Sequence, residues 1–149
     1  MRHLLTLCVL LGAGVGLAQS AASHTASHTV GVSIPAVLRL SVDGSAYSQT
    51  QSVALQVEVA GGGYRVTPGN TSLTIFANTA WQLFASFKGD DLALTWRLDG
   101  RSARLRSFPQ VLMGGGAGGW RTLSVHYGLA QLPADGRYQG LVTYTLTRP

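Results

Sequence analysis

Apolar and polar residues alternate along most of this chain. Val53, Leu55, Val57 and Val59 form one such series; Trp81, Leu83, Ala85 and Phe87 form another. Leu92, Leu94 and Trp96 follow, then Leu123, Val125, Tyr127 and Leu129, and finally Tyr138, Gly140, Val142, Tyr144 and Leu146. A period of two places each series on one face of an extended strand and turns the intervening polar residues toward water. Leu38, Leu40 and Val42, the segment Tyr64 to Thr67, and Leu73 with Ile75 give shorter strand signals. Val30, Val32 and Ile34 alternate just ahead of Pro35 and read as the first strand of the domain, at a sheet edge because proline donates no hydrogen bond. Leu105 between Arg104 and Arg106 predicts one inward residue flanked by two outward arginines.

Turn chemistry separates these segments. Asp43-Gly44, Gly61-Gly62-Gly63, Pro68-Gly69-Asn70, Lys88-Gly89-Asp90-Asp91 and Asp99-Gly100 each interrupt the alternation, the last as a hairpin turn. The glycine-rich stretch Gly114 to Gly119 reads as a flexible surface loop; its formal Gly-x-Gly-x-x-Gly spacing leads into a strand, not into the helix that a dinucleotide site needs. No helical apolar repeat appears beyond the N-terminus. The expectation is an all-β, Ig-like antiparallel β-sandwich of about seven to nine strands over residues 30–149.

The N-terminus departs from this pattern. Met1-Arg2-His3, the apolar run Leu4 to Leu11 and small residues through Ala18 have the three-part form of a secretory signal peptide at 1–18, too short for a lasting membrane span. Residues 19–29 read as a flexible polar leader containing a repeated Ala-Ser-His-Thr. His24 and His28 stand four apart, but no helix or third ligand accompanies them, and no metal is expected. The single cysteine, Cys8, lies in the signal, so the mature chain has no disulfide and depends on its core.

The net charge of +5 is carried almost wholly by arginine, with Arg97, Arg101, Arg104 and Arg106 the densest group. Export and the lack of a basic helix argue against nucleic acid; an anionic wall polymer or an acidic envelope protein suits the charge, and a solvated surface is the plainer reading. Trp81 and Trp96 fall in the inward phase of their strands. Trp120, beside the glycines and followed by Arg121, is the exposed aromatic, suited to a sugar ring or to anchoring the loop. Trp120, Arg121, Arg97, Arg101, Arg104 and Arg106 are therefore the candidate binding residues. His126 reads as a lone outward histidine, and Asp43, Asp90, Asp91, Asp99 and Asp135 as turn formers. No catalytic set and no cofactor are expected. Asn70-Thr71-Ser72 is a formal glycosylation sequon.

Trp81-Gln82-Leu83, after Asn78-Thr79, resembles the first signature of the WxL surface domains of bacteria, and Val142 to Pro149 resembles their second, with Tyr144 at the tryptophan position. Asp135-Gly136-Arg137-Tyr138 and the alternating tail also resemble spore-coat-U-like and chaperone–usher pilin subunits, with Arg148 at the pilins' penultimate tyrosine. The resemblance implies an exported Ig-like sandwich used at the cell surface: a non-enzymatic structural or adhesive module of the envelope or matrix. Its expected partners are an envelope protein, a carbohydrate or anionic wall polymer, or a second copy meeting it at sheet edges. In that last case Val30, Val32 and Ile34 would act as a donor strand.

Overall fold

The structure, a computed structural model, describes residues 29–149. The expected signal peptide at 1–18 and the expected leader up to residue 28, with His24 and His28, lie outside the described residues. Ile34–Pro149 form one compact unit. Ten strands lie in it: β1 (Leu38–Val42), β2 (Thr50–Ala60), β3 (Gly63–Thr67), β4 (Asn70–Ala77), β5 (Trp81–Gly89), β6 (Leu94–Leu98), β7 (Arg101–Arg104), β8 (Gln110–Gly115), β9 (Gly119–Leu129) and β10 (Gly136–Thr147). They build two five-stranded antiparallel sheets, the first in the order β1-β4-β9-β6-β7 and the second in the order β3-β2-β10-β5-β8. The all-β sandwich expected from the alternation is the fold.

The strand count exceeds seven to nine because two strands carry little alternation. β7 is exposed at every position, and β8 buries only Leu112. Conversely, the expected opening strand does not form. Residues 29–37 belong to no strand, and Val30, Val32 and Ile34 are 81, 78 and 75% exposed. Local hydrogen bonding explains where the ladder stops. The Asn78 side chain donates to the Pro35 carbonyl at 2.8 Å and accepts from the Val37 amide at 2.6 Å, which occupies the groups a further strand pair would use. The proline itself offers no N–H to continue.

The glycine-rich stretch is also less of a loop than its composition suggests. Gly114 and Gly115 end β8, Gly119 begins β9, and only Gly116 to Gly118 lie between them. A Cβ on Gly115 would stand 2.9 Å from the Trp81 ring, so the glycine is what lets β8 lie against that buried indole. Asp99-Gly100 does form the hairpin turn between β6 and β7, with φ of 47° and 75°, the left-handed pair a type I′ turn requires. The expected Leu105 pattern holds, with Leu105 buried and Arg104 and Arg106 exposed.

The last two strands are neighbours in sequence but belong to different sheets. β9 is the middle strand of the first sheet and β10 the middle strand of the second, so the segment between them crosses the sandwich. Their inward residues supply much of the core: Leu123, Val125 and Tyr127 from one side, Val142, Tyr144 and Leu146 from the other. The Tyr144 and Tyr127 hydroxyls are hydrogen-bonded in the interior, and Tyr127 donates on to Thr71 Oγ1 at 3.0 Å. A buried hydroxyl without a partner costs about 1–3 kcal/mol, and this three-member chain avoids that loss. Burial pushes the Tyr144 phenol well above the ordinary tyrosine range, with the neighbouring Tyr127 adding to the rise. Tyr127 is raised by burial too, partly offset by its bonds to Thr71 and Tyr144. Toward the start of β10, a Cβ on Gly140 would stand far inside van der Waals contact with the Phe87 ring.

Candidate functional site

The outward residues of the first sheet follow from its register. Directly opposed residues share a face, so Arg39 (β1), Phe76 (β4) and Trp120 (β9) form one row. Thr74 and Thr122 form the next, and Ser72 and Ser124 the one after. Asn70, His126, Arg97 and Ser102 complete a fourth across β4, β9, β6 and β7. Six residue steps along β9 take the chain from Trp120 to His126, about 20 Å of extended chain. No strand of this sheet carries an acidic residue.

One end of this face is aromatic. Trp120 is 57% exposed, as the sequence suggested, and packs on Phe76 with ring centroids 5.0 Å apart and planes at 53°. Tyr47, from the β1–β2 connection, approaches from the other side at 5.4 Å and 58°. Tilted contacts at these separations suit the ring quadrupoles and hold the indole in place while leaving part of it in water. Phe76 was legible as the outward phase of the Leu73–Ile75 series. Tyr47 lies in a turn-rich stretch where no periodicity marks it.

The other end is a hollow of about 280 Å³ lined by Arg97, Ser102, His126, Thr95, Tyr64 and Gly128, among others. Gly128 opens it: a Cβ there would stand 3.2 Å from both the Thr95 hydroxyl and the Tyr64 phenol oxygen. Arg97 and His126 face each other across the β6–β9 ladder. Ser124 Oγ stands 3.5 Å from His126 Nε2, a long contact at the limit of a hydrogen bond. Trp96 also borders the hollow and has a buried indole N–H with no partner among the described residues.

The six residues singled out from sequence do not form one cluster. Trp120 and Arg121 are adjacent in the chain but point to opposite faces. Arg121 pairs with inward Ile75, and its guanidinium lies 5.8 Å over the buried Trp81 ring. Arg97 is on the outer face but at the far end from Trp120. Arg104 opposes outward Thr95, whereas Arg101 opposes inward Leu98 on the edge strand. Arg106, beyond β7, lies 5.7 Å over the Phe108 ring and lines a separate open cleft of about 550 Å³ with Lys88, Asp90, Asp91 and Arg104. The cause is the strand period: sequence neighbours on a strand face opposite ways, so dense arginine spacing disperses the charge.

The acidic residues act in turns, as expected. Asp43 Oδ1 accepts from the Ser72 amide at 2.7 Å, Asp90 Oδ2 from the Gln139 amide at 2.7 Å, and Asp135 Oδ2 from the Gly61 amide at 3.2 Å. Among the described residues no three His, Cys, Asp or Glu side chains come together. In the sequon, Asn70 is exposed at the start of β4, while Thr71 is buried under Tyr127. Trp81 and Leu83 of the Trp-Gln-Leu segment are core residues. The outer face of the first sheet is thus able to stack on an apolar ring and attract an anion. No protein-family model, no curated protein and no solved structure matches this chain.

Proposed function

We propose that this chain is a non-enzymatic adhesive module exported to a bacterial cell envelope or extracellular matrix, and that it works through the outer face of its first sheet. The observation that carries the reading is Trp120, held half-exposed against Phe76 and Tyr47 on a sheet whose strands carry no acidic residue. A buried Trp120 would have spoken for a core role. An exposed, braced indole in one row with Arg39, on a face that also carries Arg97, supports a carbohydrate or anionic wall polymer as partner. Purified cell wall should retain the wild-type protein and release a folded Trp120→Ala variant. Equal retention of both would refute the reading.

A second reading, a strand-exchanging assembly subunit, has its own support. Val30, Val32 and Ile34 are apolar, alternating and exposed. β8 is a sheet edge without a charged residue or proline, unlike β3 with Arg65 and β7 with Arg101 and Arg104. Uncharged edges accept further strands. Removing residues 19–34 should then abolish oligomers while leaving the fold intact; an unchanged size distribution would refute it.

A further inference from the structure

We infer that the two ends of the first sheet's outer face belong to one site, and that the ligand is a linear glycan containing uronic acid residues. The inference rests on the adhesive reading of that face and deepens it by naming the ligand class. Three features of the face select this chemistry together.

At one end, the exposed part of the Trp120 indole is an apolar surface on which a sugar ring can lie flat. At the other, Arg97 presents a planar fork of donors beside the Ser102 hydroxyl and His126, in the hollow that Gly128 keeps open. Guanidinium groups bind carboxylate and phosphate through paired hydrogen bonds. Between the ends run Thr74, Thr122 and Ser72, whose hydroxyls have no side-chain partner among the described residues and are free to meet ring hydroxyls. The separation of about 20 Å exceeds one sugar ring, so a single occupant of both ends is a chain.

Charge narrows the class further. With Arg39 at one end of the face and Arg97 at the other, no acidic residue in its strands, and Asp43 tied to the Ser72 amide, an acidic polymer gains at both ends of the track. A polyol phosphate would satisfy Arg97 but has no ring for Trp120. A neutral glycan has the ring but nothing for Arg97. A uronic acid polymer carries both on every residue.

The test is binding, by calorimetry, of galacturonate dimer and hexamer, chitohexaose and polyglycerol phosphate to the mature protein. Variants are Trp120→Ala, Arg97→Ala and Gly128→Ala, each checked for wild-type folding by circular dichroism. Galacturonate hexamer should bind at least tenfold more tightly than the dimer and than either of the other two polymers. Trp120→Ala and Arg97→Ala should each erase the hexamer's advantage over the dimer, and Gly128→Ala should weaken the hexamer several-fold. Equal affinity for chitohexaose, or an Arg97→Ala variant that binds the hexamer normally, would overturn the inference while leaving an adhesive Trp120 face in place. Tighter binding of polyglycerol phosphate would overturn it in favour of a phosphate ligand. If Trp120→Ala also retains full binding to purified cell wall, the adhesive reading falls with it.

Discussion

The two outer faces of the sandwich use similar residues to different ends. On the second sheet the polar groups pair with one another. Ser52 and Thr143 hydroxyls stand 3.0 Å apart, Thr50 and Thr145 3.4 Å, and Glu58 forms an ion pair with Arg137 at 3.0 Å. Arg65 opposes the same glutamate from the other side. On the first sheet the corresponding rows of Ser and Thr are left to solvent, the arginines have no acidic strand residue to oppose them, and three aromatic rings cluster in the open. A face that satisfies itself is a wall; one that leaves donors and an apolar ring unsatisfied is equipped to bind. The shared core supports both, since β9 and β10 run through the middle of each sheet and meet at Tyr127 and Tyr144.

Breaking the core should abolish the distinction altogether. Gly140→Val drives a side chain into the Phe87 ring at the β5–β10 ladder and should cost about 3 kcal/mol or more, beyond the usual range for overpacking. Urea denaturation would read this as a lower midpoint. Replacing Trp120 by alanine should separate the faces: cell-wall binding falls at least tenfold, while stability drops by only about 1 kcal/mol for the lost ring contacts. Tyr144→Phe should cost about 1 kcal/mol at neutral pH, because Tyr127 keeps its bond to Thr71.

The same pair predicts an alkaline limit. Both buried phenols are raised, so the folded protein keeps protons that the unfolded chain releases above pH ~10. Stability is full below that pH and declines as pH rises beyond it, and Tyr144→Phe should make the decline shallower. The smallest effect belongs to the second face. Arg137→Ala removes an ion pair whose side chains are both largely exposed, and should change stability by about 0–1 kcal/mol and wall binding by less than twofold.

Much of this contrast was legible in the sequence, but only strand by strand. Alternation locates the buried faces of β2, β5, β9 and β10 and the inward Trp81 and Trp96, and the place of Trp120 beside the glycines and before Arg121 marks it as exposed. Alternation carries no information on which strands become neighbours. Placing His126 opposite Arg97, and both about 20 Å from Trp120, needs the β6–β9 register, which long-range pairing decides. Arg97 to Arg106 are dense in the chain but not in space: Arg101 opposes inward Leu98, and Arg104 and Arg106 line the separate cleft. Val30, Val32 and Ile34 show the opposite failure, a good strand pattern stopped by Pro35 and by the Asn78 side chain.

The most direct test of the difference between the faces is retention on purified cell wall of two variants measured side by side. One is Trp120→Ala on the first sheet; the other is Leu141→Ala on the second, where the leucine is also exposed, at 42%. Both should remain folded, with binding lost in the first and kept in the second. Equal retention, or equal loss, would contradict the division of the sandwich into a binding face and a self-satisfied one.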